Sequence, residues 1–309
     1  MASDAASLVG VVGTFNADRL IHASLTEKGQ RLEAGGLAYS VLALARLRPA
    51  WVVKPVAFMG EEHAPLFHPV LERCGARLDG LRTLPGPGNE VVLDCRVEEK
   101  PEEAFLRCPP LEGQHLEAAL DCSRLLLNCT SGRDVDQAAW AAFRRAWRER
   151  HPQGWLQMDW HSLSLDWEPG RPRRLRRVPN AFAWLQDLDL LQLTLHETGS
   201  LVGRAPQRLE DATDLAMRLR HAGCRRVVVT DGARGFLYVD ARGPRRQPAW
   251  PVARVEDTTG CGDVLGASLL ATLGSAWPLD RALPLAAQHA ALVCAGSGLG
   301  SLEILEALS

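Results

Sequence analysis

Six short apolar runs, at residues 8–14, 52–58, 125–129, 155–159, 188–193 and 227–230, recur along the chain with longer amphipathic stretches between them. A run that is apolar at successive positions marks a strand buried on both faces. The stretches between read as helices at 36–47, 135–150 and 209–221. The last has Leu209, Leu215, Ala216 and Leu219 near one face and Gly223 as its stop. Strands alternating with helices predict a parallel sheet covered on both sides. The 309 residues suffice for one large domain or two modest ones, and no repeat or low-complexity linker divides them, so one main domain is the simplest organisation.

Two segments, 18–33 and 89–108, break the alternation, being polar and strand-like. In the second, Val91, Leu93 and Cys95 fall on one side and Val92, Asp94 and Arg96 on the other. This predicts a small exposed antiparallel flap rather than core strands. The densest charge run, R-P-R-R-L-R-R at 171–177, reads as a solvated surface turn. Lys+Arg 35 against Asp+Glu 37 leaves a net charge of -2, and no aromatics interleave the arginines as a nucleic-acid patch would want.

Several chemistries are excluded by what is missing. Lysine occurs only at positions 28, 54 and 100, never after glycine, so a P-loop cannot be built. The eight cysteines form no C-x-x-C pair, and most read as small buried hydrophobes, Cys294 among them. There is no H-E-x-x-H, no G-x-S-x-G and no kinase His-Arg-Asp triplet. Gly10-Val-Val-Gly13 lacks the spacing of a dinucleotide loop. No apolar stretch approaches membrane-span length, and the opening Met-Ala-Ser-Asp is unlike a signal peptide. The expectation is a soluble cytoplasmic protein that binds neither nucleic acid nor membrane. The nine tryptophans read as packing rather than a stacking platform.

The richest stretch is V-E-D-T-T-G-C-G-D at 255–263. A strand-like run ends at Asp257, Gly260 and Gly262 bracket one small residue, and an amphipathic helix follows from about 263 to 273. Glycines at such a junction let backbone N–H groups converge at a helix start, which suits an anion. Asp263 fits either a helix N-cap or a general base beside that anion site, and spacing alone leaves both open. A Cys261 thiol at a helix start would have a lowered pKa, predicting sensitivity to thiol oxidants. Asp159-Trp-His161-Ser162 closes another strand, where it could contact a ligand or merely satisfy loop backbone.

D-T-T-G-C-G-D at 257–263 resembles the D-T-x-G-A-G-D signature of the ribokinase-like (PfkB) family of sugar and nucleoside kinases. Gly35-Gly36-Leu-Ala-Tyr-Ser-Val-Leu-Ala-Leu-Ala-Arg-Leu is similar to that family's G-G-x-x-x-N-x-A-x-x-x-A-R-L. Val11 to Asp18 resembles its opening strand, and Val-Val-Val-Thr230-Asp-Gly232-Ala-Arg-Gly235 its nucleotide-side strand and turn. The matches run in family order from residue 9 to about 300. The resemblance implies an α/β fold: a doubly wound, mostly parallel sheet flanked by helices, as one domain over 1–309 with a small β-sheet lid at about 18–33 and 89–108.

It also implies an ATP-dependent kinase acting on a primary hydroxyl of a small carbohydrate. The alternatives are a nucleoside kinase or a catalytically weak ligand-binding member of the same fold. By resemblance, Asp263 is the catalytic base and Gly260, Cys261 and Gly262 form the anion hole. Asn16, Asp18, Gly35, Gly36 and Ser40 bind substrate; Thr230, Gly232 and Gly298 bind nucleotide; Glu197 holds Mg2+ through waters. The resemblance further allows a monovalent cation such as K+ near residues 257–259 and a homodimer through the lid. Departures are Thr194 for asparagine in the N-x-x-E motif ending at Glu197, Ser40 for a sugar-binding asparagine, Ser131 in the region of a sugar-binding glutamate, and Gly60-Glu61-Glu62-His63 for a G-x-D element.

Overall fold

The computed structural model describes residues 7–21, 30–94 and 101–308. The 22–29 and 95–100 portions of the two flap segments, Cys95 and Arg96 included, lie outside them.

Thirteen strands form two sheets among the described residues. They are β1 (Leu8–Gly13), β2 (Phe15–Ile21), β3 (Gln30–Gly36), β4 (Val52–Gly60), β5 (Leu81–Leu84), β6 (Asn89–Asp94), β7 (Glu102–Phe105), β8 (Arg124–Asn128), β9 (Trp155–Asp159), β10 (Leu190–Thr194), β11 (Val227–Thr230), β12 (Phe236–Asp240) and β13 (Gly243–Gln247). The larger sheet has nine strands in the order β13-β12-β11-β10-β9-β8-β1-β4-β5. It is parallel from β5 to β11, and only β12 and β13 run antiparallel, as a hairpin at one edge.

The helices are α1 (Leu37–Leu47), α2 (Ala64–Arg73), α3 (Gly113–Leu116), α4 (Gln137–Arg150), α5 (Gly199–Val202), α6 (Thr213–His221), α7 (Cys261–Leu273) and α8 (Leu279–Val293). Successive strand residues feed opposite faces. Val9, Val11, Leu126 and Val228 join a core with α1, α2, α7 and α8, while Val12, Leu125, Leu127, Val227 and Val229 join one with α4 and α6. This two-sided demand produces the continuous apolar runs, and the doubly wound fold class read from the sequence is the one observed. Local signals set helix ends: Asp136 caps α4 by accepting the Ala139 N–H at 2.8 Å.

The smaller sheet has the order β3-β2-β6-β7. Its outer pairs are antiparallel, but the central β2–β6 pair is parallel, which corrects the all-antiparallel expectation. The cause is connectivity: β2 continues from β1 after Thr14 alone, and β6 returns to it only after β3, α1, β4, α2 and β5, leaving both strands in the same direction. No strand precedes α7 over residues 248–259, contrary to the strand-like reading that ended at Asp257. The 171–177 run is not simply a solvated turn either. Arg173 is buried, donating to Glu102 Oε1 at 2.5 Å and to the Ser131 and Asp166 carbonyls at 2.8 and 2.7 Å.

Trp140, Trp147 and Trp160 are fully buried, and the Trp147 Nε1–H donates to the Cys122 carbonyl at 2.8 Å. Trp147→Ala should therefore lower stability by about 3–5 kcal/mol, read as a fall in the urea midpoint. A midpoint within error of the parent would show that α4 does not depend on this packing.

Candidate functional site

The carboxyl ends of β1, β8, β9, β10 and β11 surround one cleft of about 270 Å³, lined by Thr130, Asp159, His161, Thr194, Glu197 and Thr230 from strand ends, by Asn16 and Asp18 from β2, by Gly260 just before α7, and by Gly262 and Asp263 from its first turn. In an open α/β sheet, ligands bind at this edge, where the strand order reverses; here the reversal falls at β1, between β8 and β4.

The helix α7 opens at Gly260, whose φ of +81° favours glycine. A Cβ there would also collide with the Tyr39 ring, so α1 shapes the turn. The helix starts at Cys261, which places Asp263 inside its first turn and corrects the N-cap reading. Asp263 is buried, and its Oδ1 accepts from Asn128 Nδ2 at 2.5 Å and from Ser40 Oγ at 3.4 Å. Asn128 Nδ2 also donates to Ser40 Oγ at 2.8 Å. Burial raises the Asp263 pKa; His161, Asn128, its own N–H and Ser40 oppose the rise. Ser40 is thus turned toward Asp263 and is not among the residues lining the cleft, while Asn128, unmarked in the sequence reading, holds the carboxylate.

Asp18 is buried with its carboxylate against Gly35, where any Cβ would overlap it. Its pKa is held well above the ordinary value by burial and by Glu102, Asp263 and Glu33, against His161. Asn16 donates through Nδ2 to the Thr130 carbonyl at 3.2 Å, leaving its buried Oδ1 without a partner. Gly36 has φ +57° and its Cα faces the Thr14 carbonyl, leaving no room for a side chain where β3 enters α1. Ser131 is buried beneath the cleft, accepting from Thr14 Oγ1 and the Arg133 N–H.

Glu197 Oε2 accepts the Thr194 N–H at 2.8 Å, and Thr194 Oγ1 accepts the Glu197 N–H at 3.1 Å. The threonine therefore fixes the glutamate it precedes. Burial raises the Glu197 pKa, with His161 and Thr194 opposing. Gln192 Nε2 ties Asp159 Oδ2 (2.8 Å) to the Gly262 carbonyl (2.9 Å), joining β9 to the start of α7. No group of three or more His, Cys, Asp or Glu side chains among the described residues is arranged to hold a metal directly.

Thr230 lines the cleft; Gly232 follows in a turn with φ +51°, and Gly298 (φ +58°) lies against Glu33 of β3, both outside the lining. Cys261 is bridged to Cys294 near the end of α8, with Cα atoms 6.4 Å apart. It is therefore not the free thiol its helix-start position predicts, and Cys294 is not a lone buried hydrophobe. Cys108, Cys122, Cys129 and Cys224 are free and buried, as expected.

Residues 178–305 match the family model described as pfkB family carbohydrate kinase. The chain has the fold of Arabidopsis thaliana ribokinase solved with ribose and ATP, with a TM-score of 0.74 at 22% identity over 96% of this chain and 95% of that one. The fold is ribokinase-like, and the C-terminal part of the chain is similar to the PfkB family. Among curated proteins, it is 38% identical over 97 residues to the bifunctional protein HldE of Bradyrhizobium diazoefficiens, covering 31% of this chain. It is 28% identical over 116 residues to Arabidopsis thaliana ribokinase, covering 37% of this chain. These matches span 19% and 30% of the two relatives' own lengths.

The Asp263 pKa lies higher in the folded than in the unfolded chain, so its ionised form opposes folding above the folded value. Asp263→Asn should raise the melting temperature at neutral pH. The gain should shrink as pH falls toward the unfolded carboxylate range, where the parent's carboxyl is already protonated. A melting temperature that falls at neutral pH would contradict this.

Proposed function

We propose that this protein is an ATP-dependent kinase that transfers the γ-phosphate to a primary hydroxyl of a small carbohydrate. The observation that carries the reading is the buried Asp263 carboxylate in the first turn of α7, beside the Gly260–Gly262 backbone and facing the same cleft as Asn16 and Asp18. Asp263 takes the hydroxyl proton while the acceptor oxygen bonds the γ-phosphorus and the bond to the β–γ bridging oxygen breaks, releasing ADP. N–H groups at the start of α7 receive the charge on the phosphoryl oxygens, those of Gly260 and Gly262 foremost, since the Cys261 N–H also donates to the Thr258 carbonyl at 3.3 Å. Ser40 and Asn128 keep Asp263 oriented.

Asn16 and Asp18 hold the acceptor: the unpartnered Asn16 Oδ1 suits a hydroxyl donor, and Gly35 and Gly36 let the backbone approach closely. Thr230, Gly232 and Gly298 belong to the nucleotide side. The cleft-facing Glu197 suits a hydrated Mg2+, which would neutralise donor charge. The small sheet acts as a lid that excludes water. The Arabidopsis ribokinase structure, holding ribose and ATP, supports this pair of ligands. Because Asp18, Glu102, Asp159, Glu197 and Asp263 line the cleft, an uncharged acceptor is favoured over a sugar acid.

The test is ADP release with Mg-ATP across ketoses, aldoses, sugar acids and nucleosides, run beside Asp263→Asn. An uncharged sugar should give turnover that drops by about 10²–10⁴ in the variant. Turnover confined to nucleosides would move the substrate class, and no ADP release with any acceptor would contradict the kinase reading.

A further inference from the structure

His161 follows β9 after Trp160 alone and has a φ of +35°, a region that residues other than glycine seldom occupy. The surrounding loop holds it there. Trp160 N–H donates to the Gln192 carbonyl of β10 at 2.9 Å, and Ser162 N–H donates to the Cys129 carbonyl after β8 at 3.0 Å. Trp160 Nε1–H reaches Ser200 Oγ at 2.9 Å, and Ser164 Oγ donates to the His161 carbonyl at 2.7 Å. The ring is oriented as well, with Nδ1 2.8 Å from Ser162 Oγ, which leaves Nε2 for a ligand. Strained backbone kept in place by so many bonds is characteristic of a position selected for its side chain.

The electrostatic setting says what that side chain is for. Five carboxylates line the cleft, and His161 is the one basic side chain among the described residues that line it. Glu102 is matched by Arg173 at 2.5 Å, and His161 is the leading cationic influence on Asp159, Glu197 and Asp263. Burial pulls the imidazole pKa down, while Asp159, Asp263, Glu197 and Glu102 raise it by more, so the net direction is up. A polyphosphate entering this cleft meets like charge on most sides. The imidazole sits in the field of both Asp263 and Glu197, the two groups assigned to the acceptor side and the donor side.

Resting on the kinase reading above, we propose that His161 is a catalytic residue of the transfer, whose Nε2–H holds an oxygen of the phosphoryl group in flight between donor and acceptor. It donates a charged hydrogen bond and exchanges no proton with the reacting atoms, since Asp263 already receives the hydroxyl proton. It thereby supplies the one side-chain positive charge among the described residues that line the cleft.

The test compares His161→Ala, His161→Gln and His161→Lys, each checked for an unchanged melting transition. With the best acceptor and Mg-ATP, H161A should lower kcat by about 10²–10³ with little change in the acceptor KM. H161Q should fall between, and H161K should recover most of the loss. Independently of turnover, calorimetric affinity for the non-hydrolysable ATP analogue AMP-PNP should weaken about tenfold to a hundredfold in H161A and be retained in H161K. Unchanged kcat and AMP-PNP affinity in H161A would overturn the proposal alone, as would H161K being as impaired as H161A. Absence of turnover by the parent with every acceptor would overturn the kinase reading and this proposal together.

Discussion

The start of α7 fixes everything around it. Residues 263–273 of this helix are buried, so it cannot turn to present another face, and its N-terminus points into the cleft at the sheet's carboxyl edge. Gly260 makes the approach by adopting a positive φ against the Tyr39 ring, and Gln192 anchors the Gly262 carbonyl from β10. A helix start held this way offers fixed N–H donors at the cleft. Electrostatic stabilisation is strongest under those conditions, because fixed dipoles need no reorganisation when charge develops. The same burial imposes a penalty on Asp263, which Asn128 and Ser40 offset only in part.

The small sheet is positioned by the same economy of chain. Thr14 alone separates β1 from β2, so Asn16 and Asp18 hang directly above the strand ends that carry Thr130 and Asp159. Arg173 adds a second tie, reaching from the 171–177 run to Glu102 of β7 and to the Ser131 carbonyl after β8. The groups proposed for acceptor, reacting centre and donor are thus carried by separate elements that meet at one edge. This division is what transfer between two bound molecules requires, since most of the acceleration comes from positioning.

Much of the fold was legible because burial on both faces writes strands such as β8 and β11 as continuous apolar runs. The edge hairpin of β12 and β13 was not, since β13 reads G-P-R-R-Q and carries no burial pattern. Nor was the parallel β2–β6 pair, which depends on where the chain returns rather than on local sequence. In the site, the glycines and Asp263 announce themselves as a short motif. Asn128 and Gln192 act across sequence separations of 135 and 70 residues, so no spacing rule reaches them. A polar amide set within an otherwise apolar strand was the available signal, because a buried amide demands partners. The 171–177 run misled because its charge density concealed one arginine with buried partners.

The most direct measurement follows the phosphoryl group itself. The protein would be incubated with Mg-ATP labelled with 18O on the γ-phosphate and with the sugar acceptor, and the products resolved by mass spectrometry. The account predicts a sugar monophosphate carrying the labelled phosphoryl oxygens, formed together with unlabelled ADP. Label recovered only as inorganic phosphate, with the sugar unmodified, would contradict it.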